Sequence, residues 1–239
     1  MTVLHLADEG EAADLAAFLS RLLHYDRSAA VRLQAAGTAL AVFGRPPSFE
    51  VLAVRTVRLA KPYEHGLDAT LDVTVSAGEL LESVDERAAT ARVPGAVTGP
   101  PWAGVLPPRG GWRAEPGLPA PDALRALVAA AVAEFRARTE EFAAEDRTRA
   151  ALDGIGREIW SRTVGDTGLP VRAVHAAQSL GFLRPRGVSD PEAGIATGSG
   201  SGEDAPRLFS SGAWLRLRTP FGSVALRRAG TGALGISVR

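Results

Sequence analysis

The sequence predicts an α+β protein in which a mostly antiparallel sheet with an N-terminal helix precedes a helical unit that ends in a β-hairpin. Two-residue alternation marks several short strands, and the connections between them are too short for the crossovers that parallel strands require. Helical periodicity is confined to a stretch near the start and to a longer stretch in the second half. Hydrophobic residues make up 46% of the chain and charged residues 23%, as expected for a protein that buries a core.

The N-terminal segment predicts a short strand over residues 2–6 and then a helix. Asp8 and Glu11 have the spacing of a capping box, in which side chains satisfy free amides at the start of a helix. Apolar residues recur at helical spacing over residues 15–22, which gives one apolar face. The helix is expected to end near Tyr25.

A strand-rich block follows. Residues 31–35 and 40–43 alternate between apolar and other side chains on either side of a glycine turn, a pattern that indicates a hairpin. Residues 51–59 and 71–75 predict two further strands. A second capping-box spacing, which begins at Ser76, predicts a short helix after the last of them.

A proline-rich stretch separates the strand-rich block from the rest of the chain. Eight of the 16 prolines fall between positions 94 and 121, so residues 94–120 are expected to be an irregular, Pro/Gly-rich connector. The sequence therefore predicts an α+β antiparallel-sheet domain over residues 1–93 and a helical unit with a basic hairpin over residues 121–239. The connector carries Trp102 and Trp112.

The second half predicts three helices and a hairpin. The first begins at Pro121, a residue suited to the first helical position, and the second carries apolar residues between positions 152 and 160. The third spans residues 170–180. Residues 214–218 and 223–227 then alternate around a proline–glycine turn.

No motif for a cofactor or a metal is complete, and we expect neither. Residues 230–235 spell the GxGxxG pattern, but the four residues that follow leave no room for the helix that would meet a pyrophosphate. GxxxxGK, HExxH and GxSxG are absent. There is no cysteine, and the four histidines lack paired spacing.

Two polar clusters could support acid–base chemistry. His24 lies beside Tyr25 after the first helix, and His65 lies among other polar residues between two strands. Histidine is a common general base, so an enzyme site that joins these loops is one alternative. A pair of polar surface loops is the simpler interpretation, and it is preferred because nothing ties the histidines to a nucleophile or metal.

Trp102 and Trp112 are candidate binding residues. Aromatic residues beside proline and arginine are common at recognition surfaces, so both could form an exposed platform for a partner. They could also fold back and close the core beneath the connector, since large aromatic side chains are usually mostly buried.

The C-terminal segment is basic. No acidic residue follows position 204, and the hairpin carries four candidate binding arginines, which are Arg216, Arg218, Arg227 and Arg228. Before this hairpin, the second and third predicted helices are joined by a tight connection. This order is compatible with a winged helix, whose second helix would enter the major groove of DNA. The simpler interpretation is a helix pair on a hairpin whose arginine stems cover apolar surface.

Global composition sets the functional expectation. Net charge is zero, and 26 of the 27 basic residues are arginine, which we attribute to a GC-rich genome and not to a ligand. The start lacks a signal peptide, and no apolar run is long enough for a membrane span, so we expect a cytoplasmic protein without a membrane partner. The preferred function is non-enzymatic binding of another protein, as an adaptor. Nucleic-acid binding through the C-terminal unit is the first alternative, and an enzyme that uses the His24 and His65 loops is the second.

Overall fold

The structure is a computed structural model that describes residues 2–60, 71–185 and 205–228. Its helices and antiparallel sheets confirm the predicted α+β class. Within the described ranges, the α-helices are α1 Glu9–Tyr25, α2 Ala77–Glu82, α3 Pro121–Glu140, α4 Arg149–Ser161 and α5 Val171–Ser179. The β-strands of the same ranges are β1 Val3–His5, β2 Ala30–Ala36, β3 Ala39–Gly44, β4 Leu52–Arg58, β5 Asp72–Ser76, β6 Val84–Asp85, β7 Thr90–Arg92, β8 Arg113–Glu115, β9 Arg207–Ser211, β10 Trp214–Thr219 and β11 Gly222–Arg227.

An eight-stranded sheet with the order β5-β2-β3-β4-β11-β10-β9-β8 dominates the fold. Every pair of neighbouring strands in it is antiparallel, as the short connections predict. β1, β7 and β6 form a smaller antiparallel sheet in that order.

The centre of the large sheet joins the two halves of the chain. β4 lies beside β11, with Val54 opposite Ser223 and Ala53 opposite Val224. Strands from the predicted N-terminal unit and from the C-terminal part therefore share one set of hydrogen bonds. The division of the chain into domains over residues 1–93 and 121–239 stays a prediction.

One face of the large sheet, which we call the inner face, carries the main core. Leu33, Val42 and Leu217 are fully buried on it. Buried apolar side chains of α1, α3, α4 and α5 belong to the same cluster. Burial of each such side chain contributes about 1.5–3 kcal/mol relative to its exposure, so this layer of helices on the sheet stabilises the fold.

The opposite face, which we call the outer face, carries a second and smaller apolar cluster. Phe43, Leu52 and Val54 form it, and Trp102 and Leu106 of the connector pack against it. The connector therefore lies across the outer face of the sheet, and a short 3-10 helix over residues 101–104 positions its tryptophan.

The predicted capping spacings mark two helix starts. Glu11 N donates a hydrogen bond to Asp8 Oδ1 at 2.8 Å, and Glu79 N donates one to Ser76 Oγ at 3.3 Å. The Glu11 side chain does not complete a capping box. Its carboxylate instead binds Arg55 and Arg58 of β4 at 3.0 and 2.8 Å, so the residue ties α1 to the sheet.

The sequence pattern misses β6, β7, β8 and β9. The first three contain only two or three residues each, too few to show alternation. β9 has the sequence RLFSS, in which serines replace the β-branched residues that usually indicate a strand. Pairing with β10 and β8 places β9 in the sheet despite this weak local preference.

Candidate functional site

The four candidate arginines of the hairpin do not share one surface. Arg216 and Arg218 of β10 and Arg227 of β11 lie on the outer face, because alternate residues of paired strands point to the same side. Arg228 comes one residue later and its Nη2 lies 3.1 Å from Glu115 Oε1. Arg228 is therefore occupied by an ion pair within the protein.

Arg216 and Trp112 contact each other at the outer face. The Arg216 guanidinium carbon lies 5.8 Å from the centre of the Trp112 ring, and its Nε donates to Ser223 Oγ at 2.9 Å. Burial, and secondly the charge of Arg218, lower the pKa of Arg216. The Trp112 indole donates to Pro108 O at 3.0 Å, so both side chains are half-buried and held by local bonds.

Trp102 and Arg227 meet at a depression on the outer face. Trp102 comes from the connector, Trp214 from β10 and Arg227 from β11, and the exposed side chain of Val105 lies at the same place. The depression has a volume of about 450 Å³. We call it the tryptophan cleft.

Most of the charged side chains that line the tryptophan cleft are positive. Arg45, Arg172 and Arg227 contribute guanidinium groups, and Glu50 contributes a carboxylate. Arg172 Nε lies 3.6 Å from Glu50 Oε2, which is beyond hydrogen-bond distance, and it has no hydrogen-bond partner within the described residues. Among the described residues, Arg45 and Arg227 form no ion pair. With three arginines and one glutamate, the cleft has a net positive charge.

A larger depression adjoins the tryptophan cleft and shares Glu50 and Arg172 with it. Its volume is about 760 Å³, and we call it the aromatic groove. Five rings from five different segments line it, and they are Tyr25, Phe49, Phe135, Trp160 and His175. Successive rings contact each other, with centroid distances of 5.3 Å for Tyr25–Phe49, 5.1 Å for Phe49–His175, 4.6 Å for His175–Trp160 and 6.1 Å for Trp160–Phe135.

The aromatic groove also carries arginines at its rim. Arg149 and Arg157 of α4 join Arg172 there. Arg149 pairs at 3.8 Å with Asp153, whereas no ion pair involves Arg157 among the described residues. Burial lowers the pKa of His175, which favours the neutral ring, and a neutral imidazole has one donor and one acceptor nitrogen.

Of the two histidines of the enzyme alternative, His24 lies within the described residues. His24 is exposed at the end of α1, and its ring contacts Tyr25 at 5.4 Å. His65 lies outside the described residues. The GxGxxG pattern at residues 230–235 also lies outside them.

The helix that a winged-helix arrangement would place in the major groove is largely covered. Most of α5 is buried against β11, α3 and α4. Of its polar residues, Arg172 and His175 lie in the aromatic groove, and Gln178 is exposed. The accessible side of α5 therefore lies in part in a groove of the protein, and the winged-helix interpretation stays a prediction.

Sequence reasoning did not find several residues of these two depressions. They are Arg45, Phe49, Glu50, Trp160, Arg172, His175 and Trp214. Glu50 has φ of 53°, a backbone conformation rare for residues other than glycine, but this is visible only in the structure. The remaining residues come together only through the pairing of β4 with β11 and the packing of α5, which no local pattern reveals.

The described residues allow two further observations. Across residues 2–60, 71–185 and 205–228, no cluster of three or more histidine or carboxylate side chains is placed to hold a metal ion. No helix in these ranges is both long and apolar enough to cross a bilayer.

Models of known protein families match both halves of the chain. Residues 107–231, more than half of its length, match the family described as Domain of unknown function (DUF8185), and the chain belongs to this family. Residues 1–104 match a second description, Domain of unknown function (DUF8010). The boundary between the two matches falls inside the Pro/Gly-rich segment of residues 94–120. None of the curated proteins compared with the chain matches it.

Proposed function

We propose that the chain is a binding protein that holds an acidic segment of another protein in the tryptophan cleft. The observation that carries this proposal is the convergence of Trp102 and Trp214 with Arg45, Arg172 and Arg227 at one depression. These side chains come from four separate stretches of the chain, and the fold alone brings them together.

The residue types of the cleft fit protein recognition. Tryptophan and arginine are enriched among the residues that contribute most to protein interfaces. A depression of about 450 Å³ accommodates a few side chains of a partner. An apolar side chain of the partner would lie against Trp102 and Val105, which present apolar surface there.

The charge of the cleft selects an acidic partner segment. Three guanidinium groups face one carboxylate, Glu50. A partner with glutamate or aspartate beside its apolar side chain would pair with these cations, and a basic segment would be repelled. The exposure of Arg45 and Arg227 limits each ion pair to a modest contribution, so several must act together.

Nucleic-acid binding remains the alternative, and one observation favours it. On the outer face, Arg207 lies over the Phe209 ring at 5.6 Å and Arg216 lies beside Trp112. Aromatic rings with arginine can stack on the bases of single strands. The internal bonds of Arg216 and Arg228 reduce the cations that remain for phosphates, which is why we prefer a protein partner.

A labelled peptide of one leucine flanked on each side by three glutamates tests the proposal, with fluorescence anisotropy as the measurement. The wild-type chain should bind this peptide and reject the version with lysine in place of glutamate. The double variant Arg45→Gln/Arg227→Gln should bind roughly tenfold more weakly, since two exposed ion pairs contribute about 0.2–1 kcal/mol each. The difference should shrink as salt rises.

Arg218→Gln is the matched control, because Arg218 is an exposed arginine on the same face but outside the cleft. It should leave peptide affinity unchanged. Equal loss in this control, or no peptide binding at all, would contradict the proposal. Duplex DNA or a single-stranded oligonucleotide that binds more tightly than the peptide, with a steep salt dependence, would favour the alternative.

A further inference from the structure

We propose that the aromatic groove is a second binding site, next to the tryptophan cleft, for a small ligand that consists of a flat aromatic ring and a phosphate or carboxylate group. The size of the groove is the first argument. Its volume of about 760 Å³ lies within the range of roughly 300–1,000 Å³ that is typical of small-molecule sites.

The rings of the groove are the second argument. A small-molecule site is usually an apolar depression with a few polar groups that orient the ligand. Tyr25, Phe135 and Trp160 are half-buried, so each keeps surface that can contact a ligand ring. Phe49 and His175 lie between them and hold the set together through the ring contacts described above.

The charges at the rim are the third argument. Arg157 has no ion-pair partner within the described part of the chain, and Arg172 forms an ion pair with Glu50 at 3.6 Å, which is beyond hydrogen-bond distance. A ligand anion would therefore give Arg157 an ion-pair partner and Arg172 a second one. A bidentate contact with phosphate or carboxylate is the geometry that guanidinium groups favour.

His175 supplies a neutral polar group within the same groove. Its ring is stacked on Trp160 at 4.6 Å with an interplanar angle of 26°. A neutral imidazole can donate one hydrogen bond and accept another, which suits the ring nitrogens and carbonyls of a heteroaromatic ligand. The lowered pKa of His175 agrees with this role.

Isothermal titration calorimetry with adenosine monophosphate and with indole-3-carboxylate tests the proposal and distinguishes a phosphate from a carboxylate. At least one of the two should bind, and adenosine, indole and inorganic phosphate should each bind at least about tenfold more weakly, because each lacks the ring or the anion. Failure of both probes to bind at millimolar concentration, or equal binding of inorganic phosphate, would overturn the proposal.

Variants locate the binding in the groove. Arg157→Gln should weaken binding of the probe by roughly threefold, as expected for loss of one exposed ion pair. Glu50→Gln should strengthen it, because a carboxylate that competes for Arg172 is removed. Arg136→Gln is the control, since Arg136 is exposed on α3 and lies outside the groove, and it should have no effect. An unchanged affinity in Arg157→Gln would overturn the assignment.

Different residues test the two proposed sites, so one proposal can fail without the other. Trp102 lines only the cleft and Arg157 lines only the groove. Trp102→Phe should therefore leave small-ligand binding unchanged, and Arg157→Gln should leave peptide binding unchanged. Small-ligand affinity that falls with Trp102→Phe would contradict a separate site.

Discussion

Arg55 connects three segments that are far apart in the sequence. Its Nη2 lies 3.0 Å from both Glu11 and Asp14 of α1, and its Nη1 donates to Phe221 O at 2.9 Å, in the turn between β10 and β11. The Arg55 side chain is only 8% exposed and that of Glu11 11%. Arg184 binds the other oxygen of Asp14 at 2.6 Å. The cluster therefore holds the first helix, the centre of the sheet and the final hairpin together.

Removal of Arg55 should strongly destabilise the protein. Arg55→Ala would take one of two arginine partners from the buried carboxylate of Glu11 and from the half-buried carboxylate of Asp14, each of which keeps its second arginine. Loss of such charged hydrogen bonds costs about 1.5–3 kcal/mol. Denaturant unfolding followed by circular dichroism measures the change. Arg27→Ala is the control because Arg27 is exposed, and surface substitutions usually stay within about 0.5 kcal/mol. A loss below about 1 kcal/mol for Arg55→Ala would contradict this account of the cluster.

The same cluster shows what sequence could predict about single residues. Asp8 was recognisable as a helix cap because its partner, the Glu11 amide, lies three residues away. Arg55 and its partners are 44 and 166 residues apart, so no spacing rule connects them. Residue type alone indicates Trp102 and Arg227 as candidates, whereas the residues that form the cleft around them are brought there by tertiary packing.

At the level of elements, a charged cluster joins α3 to α4. Glu158 accepts hydrogen bonds from Arg138 at 2.7 Å and from Arg162 at 2.8 Å. Arg162 also donates to both oxygens of Glu134 at 2.6 and 2.7 Å. Hydrogen bonds from Arg138 and then Arg162 lower the pKa of Glu158 to about 2, from an ordinary value of 4.5.

This cluster predicts a pH dependence of stability. The folded-state pKa of Glu158 is below its unfolded value, so its contribution is fully present above about pH 4.5 and is lost as the pH falls toward about 2. Glu158→Gln should therefore reduce the slope of unfolding free energy against pH in that window. Urea unfolding at several pH values measures the slope. Glu145→Gln, at an exposed glutamate, should leave it unchanged, and an unaltered slope in Glu158→Gln would contradict the prediction.

Sequence patterns predicted the long elements better than the short ones. The helices α1, α3, α4 and α5 span nine to twenty residues, long enough for helical periodicity to be visible. β8 and β9 depend on neighbours for their strand conformation, and their local sequence carries little preference for it.

At the scale of the whole molecule, the pairing of β4 with β11 predicts how the chain unfolds. Both halves contribute to one sheet and one apolar cluster, so we expect a single cooperative transition. Leu33→Ala on β2 and Leu217→Ala on β10 should each lower that one melting temperature, because each deletion in the core costs about 2–5 kcal/mol. Calorimetry measures the transition. Two transitions, each shifted by only one of the variants, would contradict this expectation and would support the predicted division into domains.

The position of β11 in the chain also affects how the protein is made. β4 leaves the ribosome about 170 residues before β11, which at 5–20 residues per second corresponds to roughly 10–30 s. During this interval the apolar edge of β4 lacks the strand that later covers it. An uncovered strand edge can pair with another chain, so we expect the nascent N-terminal half to be open to such pairing until β11 is made.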